Sequence, residues 1–421
     1  MATETHPVAI NQLEKALLQL EKCGDLLGLD RGMRDRLGTP DKVVHTHSPV
    51  RMDDGAIRMF PGYRVQHNNI LGPYTGGIRF HPTVDIDRIT GLAMLMTWQC
   101  SLVGLPYGGA KGGVTLDPHQ LSTRELERVT RRYTTDMAQV FDPHKDIPTP
   151  DVNTGPREMA WIMDTWSNNH GYAAPGVATG KPTAVGGTVG RASATGRGVV
   201  LALEELLKHQ GRSLQGLRVA IQGFGKLGSV TARLLHERGA RVVAVSDLTG
   251  GLYREDGLDV PDLLGYTKVH RFLKGYAEAT PITEEEVLYL PCDVLIPASL
   301  GAQIHPGNAH RVQAPIVVEG ANAPVTFEAD VLLEQRGVLV LPDILANAGG
   351  IIVSYFEWVQ GSQQLFWTEA EVNARLQDVM ARAFKNVVAN VETRGLSFRM
   401  GAYVEAVGRV ANALTLRGLY P

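Results

Sequence analysis

A chain of 421 residues is too long for one compact core, so two domains are expected. A hydrophobic fraction of 44%, a charged fraction of 20% and a net charge of −3 describe an ordinary globular protein, and the lack of a long basic run argues against nucleic acid as a main partner. No apolar run nears the roughly 18 residues that span a bilayer, "MATETHPVAI" lacks the features of a secretory signal, and the widely spaced Cys23, Cys100 and Cys292 suit a reducing cytoplasm without disulfides or a zinc site.

In chain order, "NQLEKALLQLEKCGDLLGLD" predicts a helix with Leu13, Leu17 and Leu20 on one face and Asn11 with Glu14 at capping-box spacing. "VRMDDGAIRMFPGYRVQHN" alternates apolar and polar residues and predicts strands with a turn at "DDG". Helices are expected around 86–102 and 125–140, with glycine-rich loops at 72–77 and 108–113 flanking the first. The span 171–198 is dense in Gly, Pro, Ala and Thr and carries Lys181, Arg191 and Arg197. It is expected to be an interdomain segment that also lines a cleft.

Beyond it, the β-branched runs "LRVAIQ", "RVVAVSD", "CDVLIPAS", "APIVVEGA" and "GVLVLPD" are strand candidates, and "SVTARLLHERGA" is a helix candidate. That alternation predicts an α/β fold with a parallel sheet and crossover helices. Near the end, Thr368 and Glu371 form a capping box before an amphipathic run through Leu376, Met380, Phe384 and Val387.

Two motifs carry chemistry. "GFGKLG" places Gly223, Gly225 and Gly228 in a G-x-G-x-x-G arrangement between a strand and a helix, with Asp247 ending the next strand. The first glycine permits the tight turn, the second lets a pyrophosphate approach, and the third allows close helix–strand packing. The helix N-terminus offers N–H donors to phosphates. Asp247 would accept from ribose hydroxyls and repel a 2′-phosphate, favouring NAD over NADP. Lys226 is either a solvated helix-start residue or a phosphate contact.

"GGAKGG" sets Lys111 between glycine pairs, where a small substrate could lie against the amine and burial would lower its pKa. The plainer reading is an exposed lysine on a flexible loop. Asp151, in "DIPTPDVNTGPREMAW", is its candidate partner, or else a turn residue. A lysine, an aspartate and a nicotinamide sharing a cleft suggest amine–imine redox chemistry.

The ordered set "GPYTGGIRFHP", "LPYGGAKGG", "DIPTPDVNTGPREMAWIMDTWS", "TGKPTAVGGTVGRASATGRG", "GFGKLG", "EGANAPVT" and "ANAGGIIVSYFEWVQ" resembles the glutamate/leucine/phenylalanine/valine dehydrogenases, and among them the hexameric glutamate dehydrogenases. The resemblance implies an N-terminal α/β substrate and assembly domain over 1–185, completed by helices in 355–421. It also implies a Rossmann-like, doubly wound NAD(P)-binding domain over 186–354. The family's reaction is the reversible oxidative deamination of an L-amino acid to its 2-oxo acid and ammonia.

By resemblance, Lys111 is the lysine that activates water and Asp151 the proton-transfer carboxylate. Asn347 and Ser354 are implied substrate contacts, and Thr195 a cofactor contact. The family also holds its substrate's carboxylates with two lysines, at the positions of Thr75 (side-chain carboxylate) and Gln99 (α-carboxylate). This chain has neither. Thr75 alone would fit an apolar substrate, but every amino acid has an α-carboxylate for residue 99 to hold.

The expectation is therefore a regulatory or catalytically impaired subunit in a hexamer with a catalytic homologue, with a hydrophobic amino acid as candidate effector. The alternatives are a self-sufficient NAD-dependent dehydrogenase of glutamate or apolar amino acids, homo-hexameric, and an NAD-binding sensor without catalysis.

Overall fold

The computed structural model describes residues 11–419, so the signal reading of "MATETHPVAI" lies outside the described residues. Two sheets organise the chain. The first contains β1 (Lys42–Arg51), β2 (Ile57–Asn68), β3 (Tyr74–Phe80), β4 (Gly108–Val114) and β5 (Asp146–Pro150), in the order β1-β2-β4-β3-β5. β2 pairs antiparallel with β1 and β4, whereas β3 runs parallel to β4 and β5.

Around this sheet lie α1 (Gln12–Leu27), α2 (Arg31–Gly38), α3 (Ile86–Leu102), α4 (Thr123–Asp136) and α5 (Pro156–His170). α1 carries its expected capping box and buries Leu20. The helix expected over 125–140 starts earlier, because Ser122 caps it with Glu125. It also ends earlier: Met137 leaves the helix as a turn that puts Val140 and Phe141 in the core.

The two glycine-rich stretches expected as loops are mostly strand: 74–77 opens β3 and 108–113 fills β4, while Gly72 stays in a turn ahead of β3. The strand glycines mark close approach of backbone rather than a turn. A Cβ on Gly109 would stand 2.2 Å from Thr97 Oγ1, and one on Gly76 1.7 Å from the Ala110 carbonyl oxygen. Glycine is what lets α3 lie directly on β4.

The second sheet contains β6 (Arg218–Gln222), β7 (Arg241–Asp247), β8 (Gly250–Tyr253), β9 (Thr280–Ile282), β10 (Val294–Pro297), β11 (Ile316–Val318) and β12 (Leu339–Leu341). Its order is β12-β11-β10-β6-β7-β8-β9. The first five are parallel and fall on the five predicted apolar runs, while β8 and β9 add an antiparallel edge too short to be read from the sequence. With α6 (Ala194–His209), α7 (Lys226–Glu237), α8 (Val260–His270), α9 (Phe327–Gln335) and α10 (Asp343–Ala346), this is a Rossmann-like unit. Strand order reverses between β6 and β10, and ligands in such sheets bind at the crevice formed there by the carboxyl ends of the strands.

Three helices finish the chain: α11 (Gly349–Gln363), α12 (Glu369–Arg394) and α13 (Phe398–Arg417). α12 keeps the predicted capping box and buries Leu376, Met380, Phe384 and Val387, packing on α6. α13 returns to α1 and α3, where Ser101 donates to the Ala406 carbonyl at 2.8 Å. Among the described residues, no helix is long and apolar enough to cross a membrane, and no group of three or more His, Cys, Asp or Glu could hold a metal. The three cysteines are free and buried.

Candidate functional site

A cleft of about 340 Å³ opens between the strands of the first sheet and the carboxyl ends of the second. Lys111, central in β4, enters it from one side and Asp151, just after β5, from another. Lys111 Nζ lies 3.1 Å from Asp151 Oδ2. Arg79 Nε donates to that same oxygen at 2.8 Å, and its Nη2 reaches Oδ1 at 3.4 Å.

Gly77 makes the convergence possible, because a Cβ there would meet Asp151 Cβ at 2.6 Å and Lys111 Nζ at 3.1 Å. Burial pushes the Asp151 carboxyl up, but Lys111 and Arg79 outweigh it and hold the group at about 2. Burial moves the Lys111 amine the other way, below its ordinary range. Asp151 opposes that shift and Arg79 adds to it. An amine eased toward its neutral form beside a permanent carboxylate is suited to proton transfer.

Arg79 escaped the sequence reading as a site residue. Its signal was positional: on a strand it shares a face with Thr75 and Gly77, and in the β3–β5 register it follows the Ile78↔Pro150 pair. Reading 72–77 as a loop hid that periodicity.

Gln99, Asn347, Ser354 and Thr195 all line the cleft with Lys111 and Asp151. Thr75 does not. It is 1% exposed, and its hydroxyl donates to the Ile147 carbonyl at 2.9 Å. Gln99, on α3, reaches across the cleft instead of into it, with Nε2 donating to Asn347 Oδ1 at 2.7 Å. Asn347 is fixed in turn by Nδ2 donating to Asn322 Oδ1 at 2.9 Å.

Ser354 Oγ accepts from Arg191 Nε at 2.9 Å. The η nitrogens of Arg191 make no hydrogen bond among the described residues. Arg191 lines the cleft, and burial lowers its pKa from the ordinary guanidinium value. From the sequence it was expected only as part of a cleft-lining segment.

That segment is tied to α11 at three points. Lys181 pairs with Glu357 on α11 at 2.6 Å with both side chains fully buried, and Gln360 Nε2 donates to Thr188 Oγ1 at 2.9 Å. Together with Arg191–Ser354, these contacts come from α11 at i, i+3 and i+6.

The dinucleotide motif stands at the edge of the same crevice. Gly223 has φ +101°, and a Cβ there would meet the Ala298 carbonyl carbon at 2.9 Å. A Cβ on Gly228 would fall 1.7 Å from the Gly223 carbonyl oxygen, whereas nothing lies within 4 Å of one on Gly225. Gly225 caps α7 with no side-chain hydrogen bond, and Lys226 beside it is exposed. The open glycine and the uncapped helix start fit a pyrophosphate. Asp247 Oδ1 accepts from the backbone N–H and hydroxyl of Thr249, and Oδ2 from the Leu273 N–H at 2.7 Å. These bonds fix its carboxylate at the end of β7.

Residues 40–168 match the Glu/Leu/Phe/Val dehydrogenase dimerisation domain, and residues 186–418 match Glutamate/Leucine/Phenylalanine/Valine dehydrogenase. Glutamate dehydrogenase A2 of Halobacterium salinarum is 48% identical over 411 residues, covering 97% of this chain and 99% of the relative. NAD-specific glutamate dehydrogenase A of Halobacterium salinarum is 44% identical over 409 residues, covering 97% and 94%. Among solved structures, a hetero-hexameric glutamate dehydrogenase from Thermus thermophilus in its Leu-bound form superposes with a TM-score of 0.93 at 40% identity, covering 100% of both chains.

Proposed function

The chain belongs to the glutamate/leucine/phenylalanine/valine dehydrogenase family, and on that premise we propose that it is a regulatory or catalytically impaired subunit of a glutamate dehydrogenase, assembled with a catalytic homologue. One observation carries this reading. At the two positions where the family resemblance calls for lysines, the Thr75 hydroxyl is spent on a backbone carbonyl and the Gln99 amide on Asn347. A charge-assisted hydrogen bond contributes about 1.5–3 kcal/mol, so a neutral amide in place of an ammonium weakens the hold on an α-carboxylate substantially. Misplacing the reacting carbon by 1 Å costs on the order of 100-fold in rate.

In this reading the division of labour follows 1–185 with 355–421 as the substrate and assembly unit and 186–354 as the dinucleotide unit. Gly223, Gly225, Gly228, Lys226, Asp247 and Thr195 would hold NAD, which when bound supplies a hydride acceptor. Asp247 as a ribose acceptor favours NAD over NADP. Lys111 would activate water and exchange its proton with Asp151. The hetero-hexameric, leucine-bound neighbour supports both a mixed assembly and a hydrophobic amino acid as effector.

The test is kinetic. The chain purified alone is expected to turn over glutamate, leucine, valine and phenylalanine poorly, and Thr75→Lys with Gln99→Lys to gain glutamate activity. Robust turnover by the unmodified chain would overturn the regulatory role. It would favour the second reading, a self-sufficient dehydrogenase, for which Arg191 beside Ser354 speaks as a cation still able to meet a carboxylate.

A further inference from the structure

Behind the cleft, a buried arginine joins the C-terminal helices to the second sheet. Arg399, the second residue of α13, is 8% exposed. Its Nε and Nη2 donate to the two oxygens of Asp330 on α9 at 2.8 and 3.2 Å, and its Nη1 donates to Glu319 Oε2 at 2.9 Å. Glu319 follows β11 and is fully buried. Its carboxylate also accepts from two backbone groups: Oε2 from the Asp343 N–H at 2.9 Å, and Oε1 from the Val325 N–H at 3.2 Å. Arg399, Glu319 and Asp330 stand outside the lining of the cleft and of its mouth.

Those two N–H groups bound the backbone that brings asparagines to the cleft. The loop between Glu319 and Val325 carries Asn322, and α10 begins at Asp343 and ends on Asn347. Asn347 Nδ2 donates to Asn322 Oδ1 at 2.9 Å and to the Gly320 carbonyl at 3.3 Å, and its Oδ1 accepts from Gln99. Asp343 Oδ2 closes the arrangement by accepting from the Ala323 N–H at 2.8 Å. Ala323 is a non-glycine residue at φ +46°, a strained conformation that persists only where its surroundings hold it. On its other side α13 is fixed to the helices around the first sheet. Gln19 of α1 donates to the Met400 sulfur at 3.2 Å, and Ser101 of α3 to the Ala406 carbonyl.

One buried cation therefore serves three carboxylates. Glu319 neighbours Arg399 and Tyr403 from α13 and Asp343 from α10, while Asp330 of α9 shares the arginine. Lys15 of α1 borders the small gap beside Asp343. Burial pushes the Glu319 carboxyl up to about 7, with Arg399 opposing the shift and Asp343 adding to it.

We propose that Arg399 and Glu319 are positioning residues for the cleft: their ion pair holds the 320–325 loop and α10 in the arrangement that presents Asn322 and Asn347 to Gln99. A change in how α13 sits against α1 and α3 is thereby passed to the cleft without touching a residue that lines it. The sign of the pH effect follows from linkage. The ordered arrangement binds a proton on Glu319 more readily than an exposed carboxylate does, so order strengthens as pH falls through about 7 and weakens as it rises above. Arg399 limits that weakening by pairing with the ionised form.

The experiment is hydrogen–deuterium exchange on the full-length chain without substrate or cofactor, at about pH 6 and about pH 8, with each rate corrected for intrinsic exchange. Arg399→Met is expected to speed exchange of 320–325 and 343–347 at the higher pH by roughly tenfold or more, because it leaves an unpaired buried carboxylate. The loss should shrink at the lower pH. Adding Glu319→Gln should recover most of it, since the amide has no charge to leave unpaired. Glu319→Gln alone keeps the shape of the side chain and should abolish the pH difference that the unmodified chain shows at these segments. Asp330→Asn, which breaks the other arm of the arginine, should change their exchange by less than about threefold. Four results would each overturn the inference: unchanged exchange at both segments in Arg399→Met, a speeding spread evenly over β6, β7 and β10, no recovery in the double variant, or a pH difference that survives Glu319→Gln. If Arg399→Met does not fold, the pH comparison between Glu319→Gln and the unmodified chain decides alone. None of these measurements requires turnover or a bound ligand, so failure here would leave the proposed regulatory role standing.

Discussion

Asp151 draws Lys111 and Arg79 onto one carboxylate oxygen, and that convergence sets the pH behaviour of the cleft. Its folded pKa lies below the ordinary carboxylate value, near 2, so its contribution to stability is present above about pH 4 and lost as pH falls toward 2. Arg79→Gln removes one of the two cations. Acid unfolding followed by fluorescence should then have its midpoint at higher pH, whereas an unchanged midpoint would mean that Lys111 alone holds the carboxylate. The two replaced lysine positions should also behave differently. Gln99 is half-buried and lines the cleft, so Gln99→Lys has room for its ammonium. Thr75 is enclosed, so Thr75→Lys overpacks its site and should lower stability by about 1–3 kcal/mol in a urea titration. Gln99→Lys alone is therefore expected to yield most of any gain in turnover.

Helix α11 is the element that joins cleft to scaffold. Ser354, Glu357 and Gln360 succeed one another along one face, and each holds a residue of the segment that leads into α6. Lys181 and Glu357 are the costly pair, with both side chains fully buried. Removing one partner of such a pair typically costs about 3–5 kcal/mol, because the other charge is left uncompensated. Lys181→Met should show that loss in chemical denaturation. Lys181→Met with Glu357→Leu should recover only part of it, since Glu357 also accepts from the N–H groups of Gly180 and Lys181. Strands β3 and β4 teach a related point. Their glycines resemble turn signals in composition, yet they are strand interiors pressed against α3 and a neighbouring strand.

Across the whole molecule, the first sheet and α3 face the second sheet and α11 over a cleft bridged by Gln99 and Asn347. A neutral hydrogen bond of this kind contributes about 0.5–1.5 kcal/mol, enough to change the ratio of closed to open forms by about two- to tenfold. Gln99→Ala should therefore shift the chain toward the open form. Solution X-ray scattering would register a larger radius of gyration, and an unchanged value would show that the bond does not govern closure. Affinity purification of the chain from its native cell should bring down a glutamate dehydrogenase homologue that carries lysines at both clamp positions. Recovery of the chain alone would count against a mixed assembly.

Much of the protein was legible in its sequence. The apolar runs of β6, β7, β10, β11 and β12, the capping boxes at Asn11 and Thr368 and the glycines of "GFGKLG" are local signals, because each depends on residues within a few positions of one another. The pairing of Lys111 with Asp151 is not local, and the sequence offered it only as a candidate from their two motifs and the family resemblance. The tertiary structure decided what depends on distant partners. It turned most of two glycine stretches into strands, committed Arg79 to Asp151, enclosed Thr75 against Ile147 and set Gln99 against Asn347, which lies 248 residues away. A hydrogen-bonding side chain does not record its partner in its own neighbourhood, so the sequence could identify the missing lysines but not what their replacements do.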